Sequence, residues 1–199
     1  MTTRSLFFIL LFAFVLNLPL PAQQTPPATP AAAPAGPGLT ITTAAWPDGD
    51  DIPLKYTQAD PKPVSPALTW TNVPPGTRSF VLHMHDPDVS INKTTNTQVH
   101  WLVWGIPGTA TGLSEGQPQG EKLPDGSRQV SASGQVYRGP GARAAGPKHH
   151  YTFELYALDA MMDVPPGANE QETRAAVIAA MNGHILGKAV MVGLFKRPQ

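Results

Sequence analysis

Three short stretches carry side chains that could do chemistry on a charged ligand. The first is Asp86-Pro87-Asp88. The second is His100, followed by Trp101. The third begins at Arg138-Gly139-Pro140-Gly141 and ends at His149-His150-Tyr151. Brought together, they would place two carboxylates, two imidazoles, a phenol and a glycine loop in one cleft. A phosphate monoester needs several donors converging on three oxygens where water is scarce. His100 and His149 each offer a ring N–H, Tyr151 offers an O–H, and Gly139 would let a backbone N–H approach without a Cβ. Carboxylates repel an anion, so Asp86 is expected behind a histidine. There it would accept from one ring nitrogen, raise that histidine's pKa and fix which nitrogen faces the ligand.

Other candidates read as structural. His149 and His150 open a strand, so alternation sends them to opposite faces; His149 shares the face of Tyr151, and His150 is left to solvent. His83 and His85 also share a face and lie close to Asp86 in sequence. They read as packed, hydrogen-bonded histidines and not as metal ligands. His184 reads as structural, and Arg138, Arg143 and Lys148 as solvated loop charges. The pattern calls for no metal and no cofactor. No Ser or Cys stands beside a base as a nucleophile, which favours binding over turnover. An enzyme using His100, His149 and Asp86 as acid and base or as holders of a divalent metal, a phosphoesterase or lyase, is the alternative.

The elements that must position these residues are mostly strands. Period-two apolar patterns mark Leu39–Thr43, Ala67–Trp70, Ser79–His85, Val99–Trp104, Tyr151–Leu158 and Lys188–Phe195. Turn clusters such as Pro74-Pro75-Gly76, Pro124-Asp125-Gly126 and Pro165-Pro166-Gly167 separate them. Val81-Leu82 and Trp101 to Trp104 are apolar on both faces, which suits a sheet covered on both sides. One segment differs. Asn169 with Glu172 forms a capping box, Ala175, Val177, Ile178 and Met181 make an apolar stripe, and Gly183 closes it. The expectation is a mainly β, antiparallel sandwich with one or two short helices, including one near 169–182.

Composition narrows the function. The chain has 199 residues, 14 basic and 14 acidic side chains, 18 Gly, 23 Pro and no Cys. Zero net charge argues against a nucleic-acid partner, which requires a basic stripe. Lack of Cys excludes disulfides, Cys zinc sites, thiol catalysis and a lipidated N-terminal Cys. Residues 1–22 read as a signal peptide, with Arg4, an apolar run from Leu6 to Leu16, and Leu20-Pro21-Ala22 before the cut. The run is far shorter than the roughly 20 residues of a membrane span. Export to the periplasm or medium follows, with no membrane span after signal removal. Residues 23–38 are Pro/Ala-rich without charge and read as a disordered spacer. The domain is then 39–199.

In this order, Ser65-Pro66-Ala67-Leu68-Thr69-Trp70, Pro74-Pro75-Gly76-Thr77, Asp86-Pro87-Asp88, His100-Trp101, Gly139-Pro140 and His149-x-Tyr151 resemble the phosphatidylethanolamine-binding protein family, nearest its bacterial Raf-kinase-inhibitor-like branch. The resemblance spans nearly all of Leu39 to Arg197. It implies an antiparallel β-sandwich with a small pocket for phosphate or phosphorylated phospholipid head groups. Carried over, that pocket contains Asp86, Asp88, His100, Gly139, Pro140, His149 and Tyr151. In this setting Asp88 could instead meet the ammonium of an ethanolamine head group; the sequence leaves both roles open. The chain also departs from the family. Val89-Ser90 and a polar Asn92–Gln98 segment follow Asp-Pro-Asp, Phe195 stands where a Tyr is common, and the loop from Gly134 to His149 is more basic. An interaction module, inhibiting a protease or kinase, is a third reading, although an exported protein would not meet a cytosolic kinase.

Overall fold

Alternating side chains give two antiparallel sheets in the computed structural model, which describes residues 37–199. Residues 1–22, read above as a signal peptide, and residues 23–36 of the expected spacer lie outside the described residues. The smaller sheet has the order β1-β2-β5, from Thr40–Thr42, Leu68–Thr71 and Gly112–Leu113. The larger has the order β6-β4-β3-β7-β8. Its strands are Ser79–Ser90 (β3), Thr97–Pro107 (β4), Arg128–Val130 (β6), His149–Leu158 (β7) and Ile185–Phe195 (β8). A single 3₁₀ turn, Leu54–Tyr56, and one helix, α1 at Glu170–Met181, complete the elements.

Two apolar layers explain the doubly apolar strands. One lies between the sheets, where Leu68 and Trp70 of β2 meet Phe80, Leu82 and Met84 of β3, Trp101 of β4 and Phe153 of β7. The other lies outside the large sheet. There α1 sets Val177 and Met181 on Val81, Leu102 and Trp104. Trp101 and Trp104 therefore serve opposite faces of one strand.

The helix forms where its cap predicts. Asn169 Oδ1 accepts the Glu172 N–H at 2.9 Å, the Asn169 amide donates to Glu172 Oε1, and Gly183 takes φ 82° just past the end. Its buried stripe is Thr173, Val177 and Met181. Ala175, expected in that stripe, is exposed because the sheet contacts a narrower face.

The largest departure from expectation is at Asp86-Pro87-Asp88. These residues do not follow a strand; they lie inside β3, which continues to Ser90. Asp86 pairs with Gln98 and Ser90 with the adjacent Thr97, so the intervening three residues form a bulge. Pro87 has no N–H for the ladder, and a bulge is where a central strand can hold it. The β3–β4 hairpin then closes through Asn92 and Lys93, both at positive φ, with Thr94 N–H donating to Ile91 O.

Candidate functional site

Strand order brings the three stretches together. β3 lies between β4 and β7, so Asp86 has His100 on one side and His149 on the other. The segment from Ser131 to Lys148 folds over their ends. Asp86, His100 and His149 line one cavity of about 610 Å³, together with Gln98 on β4, Gln58, and Arg138, Gly141, Ala142, Arg143, Ala145 and Gly146 of the crossing segment.

Asp86 is 2% exposed, and both its oxygens are engaged. Oδ1 accepts the Asp88 N–H at 3.0 Å, and Oδ2 accepts from His149 Nδ1 at 2.8 Å. A carboxylate can only accept here, so Nδ1 carries the hydrogen and His149 turns Nε2 away from Asp86. This is the arrangement expected of a carboxylate behind a ligand-facing histidine.

His100 behaves differently from the donor expected of it. It is 3% exposed, and its Nδ1 donates to the Arg138 carbonyl at 2.9 Å, while the Arg138 N–H donates to the His100 carbonyl. Burial lowers its pKa to about 4. At neutral pH the ring is uncharged, and what it leaves for a ligand is the lone pair of Nε2, an acceptor.

Tyr151 is fully buried and edge-on to His100, with ring centroids 5.0 Å apart. Its hydroxyl oxygen accepts the N–H groups of Gly141 and Ala142 at 3.1 and 3.0 Å. Burial pushes its pKa up to about 12. It does not line the cavity; it holds the segment that does.

Gly139 and Pro140 are likewise positioning residues. A Cβ at Gly139 would lie 2.6 Å from the Tyr56 carbonyl oxygen and 2.9 Å from Thr57 Cα, so the glycine admits a neighbouring backbone and not a ligand. Gly139 O accepts from Gln58 Nε2, and Pro140 O from the Gln58 N–H.

Asp88 lies beside the cavity. Its Oδ2 accepts from the His150 N–H at 2.7 Å and pairs with His150 Nδ1 at 3.0 Å. Burial pushes its carboxyl up, but these His150 contacts outweigh that and hold it below the usual range. His150 is exposed, as expected, and it holds one oxygen of this carboxylate.

Sequence reasoning passed over Gln58, which follows the 3₁₀ turn far from every motif. It also took Arg138 and Arg143 as solvated charges, although both line the cavity. Lys148 is the solvated charge of the three, paired with Asp51 at 2.6 Å. Of the polar Asn92–Gln98 segment expected at the rim, Gln98 lines the cavity; its other lining neighbour from this side is Val89. His184 pairs with Asp159 at 2.8 Å.

His83 and His85 stack at 4.4 Å on the outer face with Glu154 beside them. Arg174 Nε donates to His83 Nε2, Thr97 Oγ1 meets His85 Nδ1, and Lys188 and Tyr156 donate to Glu154. The rings are parallel to within 2°, so their in-plane lone pairs do not converge on a common point. Lys188 already pairs with the carboxylate at 2.6 Å. His83 and Glu154 are thus partnered, while His85 Nε2 is buried with no hydrogen-bond partner.

Comparison with known proteins agrees with this architecture. Residues 42–196 match the family model described as phosphatidylethanolamine-binding protein. A UPF0098 protein of Methanothermobacter thermautotrophicus is 40% identical over 161 residues, covering 80% of this chain and 99% of that protein. The candidate lipoprotein LppC of Mycobacterium tuberculosis is 34% identical over 185 residues, covering 88% and 85%. The crystal structure of E. coli YbcL, described as a new member of the mammalian PEBP family, superposes with a TM-score of 0.65 at 26% identity. It covers 81% of this chain and all of that one. With its sheets, its helix and most of its length matched, this chain belongs to the phosphatidylethanolamine-binding protein family.

Proposed function

We propose that this is an exported binding protein whose cavity takes phosphate or a phosphorylated head group without turning it over. The observation that carries the reading is the Asp86–His149 pair, which aims one imidazole nitrogen away from its carboxylate at the edge of a cavity also lined by two arginines. His149 Nε2 supplies a donor that phosphate oxygens need. Neutral His100 takes a hydroxyl hydrogen of the ligand, whether from a protonated phosphate or an adjacent alcohol. Among the described residues, the cavity lining holds no Ser, Thr, Cys or Lys, and its one carboxylate, Asp86, is bonded through both oxygens. The export reading draws on the signal-like residues 1–22 and on LppC. Among the described residues, no helix is long and apolar enough to cross a membrane.

Calorimetric titration of inorganic phosphate into the wild type and His149→Ala tests the binding reading. A charge-assisted hydrogen bond contributes about 1.5–3 kcal/mol, so the variant is expected to bind about ten- to a hundredfold more weakly. Equal affinities would overturn the assignment.

One observation favours a second reading. A carboxylate-oriented histidine is also how a general base is built, and water could be its substrate. Release of phosphate from glycerol 3-phosphate by the wild type, absent in Asp86→Asn, would establish turnover.

A further inference from the structure

We infer that the cavity selects a phosphate bearing a second anionic group and no ammonium, with Arg138 and Arg143 as the residues that read the second charge. The inference rests on the reading of this cavity as a phosphate site and concerns what else the ligand carries.

The argument begins with the carboxylates. An ethanolamine-type ligand needs an acceptor for its ammonium, and the acids near the cavity are Asp86 and Asp88. Asp86 gives Oδ1 to the Asp88 N–H and Oδ2 to His149. Asp88 Oδ2 is held twice by His150, outside the cavity lining. Within the cavity an ammonium would therefore meet only Asp86, both of whose oxygens already accept N–H donors. A buried acceptor already satisfied by two N–H donors gains little from a third partner.

The cations are in the opposite condition. Among the described residues, Lys55, Arg128, Lys148 and Lys188 all meet carboxylates. Arg138 and Arg143 meet none, as is true of other surface cations, but these two line the cavity. Arg138 donates through Nη1 to Ser133 Oγ, and its Nε is buried with no partner. A buried donor left unsatisfied costs free energy, and a guanidinium presents a planar fork matched to carboxylate or phosphate oxygens.

Size points the same way. A cavity of about 610 Å³ falls within the roughly 300–1,000 Å³ of pockets that hold whole small molecules, and a bare phosphate would leave most of it empty. The phosphate sits against His149, and the remaining space is lined by uncompensated positive charge. Either a soluble phosphorylated carboxylate or a lipid head group with two phosphates, such as cardiolipin, has this chemistry.

Three ligands that share a phosphate and differ at the other end test it: 3-phosphoglycerate, glycerol 3-phosphate and phosphoethanolamine. Calorimetry on the wild type should rank them in that order, with about tenfold or more between the first and last. Arg143→Gln should reduce 3-phosphoglycerate to the affinity of glycerol 3-phosphate while leaving inorganic phosphate within about twofold. Co-sedimentation with phosphatidylcholine vesicles containing cardiolipin, sensitive to Arg143→Gln, would assign the lipid source; binding of 3-phosphoglycerate alone would assign the soluble one. Phosphoethanolamine binding as tightly as 3-phosphoglycerate, or an Arg143→Gln effect equal across the series, overturns the inference and leaves the phosphate site standing. If inorganic phosphate itself does not bind, the site reading fails, and this inference fails with it.

Discussion

Three histidines of this protein are kept neutral by burial. His83 lies below its ordinary value, and His85 and His100 are lowered to about 4, in each case mainly by desolvation. As pH falls, the unfolded chain takes up these protons near the ordinary value of 6.5 before the folded protein does. The stability they contribute is therefore complete above about pH 6.5 and declines toward pH 4. Each contributes a slope of at most about 1.4 kcal/mol per pH unit. Glu154 adds to the same trend lower down. Burial pushes its carboxyl up, but His83, Lys188 and Tyr156 outweigh this and hold it well below 4.5, so its contribution is present above that pH and lost beneath it. The melting temperature should be lower at pH 5 than at pH 7.5, and His85→Gln should flatten the difference. An unchanged profile in that variant would remove His85 from the account. Because His100 stays neutral throughout the range, its acceptor role in the cavity should not vary between pH 5 and 8.

At the scale of elements, the crossing segment between β6 and β7 is held by backbone contacts. Arg138 is locked to His100, Gly139 and Pro140 to Gln58, and Gly141 and Ala142 to the Tyr151 hydroxyl. The approach at Gly139 leaves no space for a side chain, whereas a Cβ at Gly146 would meet nothing closer than Arg143 O at 3.7 Å. Gly139→Ala is therefore expected to lower unfolding free energy by about 1–3 kcal/mol, through strain against the 3₁₀ turn. Gly146→Ala should be neutral or raise it by up to about 1 kcal/mol. Urea unfolding of both variants separates them, and equal midpoints would contradict the packing described here.

Over the whole molecule, the large sheet is a partition between two apolar layers, with the candidate site at one end of its inner face and α1 on its outer face. Met181→Ala removes a side chain that is 4% exposed in the outer layer and should cost about 2–5 kcal/mol. At a temperature where the variant remains folded, phosphate affinity should match the wild type, since the site and the helix share no side chain. Most of this architecture was legible in the sequence. Six strands, the capped helix and the meeting of Asp86, His100 and His149 follow from alternation, a capping box and a recognised order of motifs. What alternation could not reveal was the bulge, because Asp86-Pro87-Asp88 reads locally as a turn and only its pairing with Gln98 and Thr97 keeps it in β3. Nor could it reveal the direction of each contact. Tyr151 has the same hydroxyl whether it faces a ligand or two backbone N–H groups, and His100 the same ring whether charged or not. Those roles depend on burial and on residues distant in the chain, Gln58 among them.

Anchoring of the crossing segment ends at Ala142, where the Arg197 N–H also attaches. From Arg143 to Pro147 the backbone makes a single internal turn, Gly146 N–H to Arg143 O, before Lys148 and β7 resume regular contacts. Mutations arising in these five positions would therefore be nearly free of folding penalty while altering the mouth of the cavity. A lineage carrying this scaffold could exchange one ligand for another through drift in that short stretch, generation by generation, with Asp86, His100 and His149 left untouched.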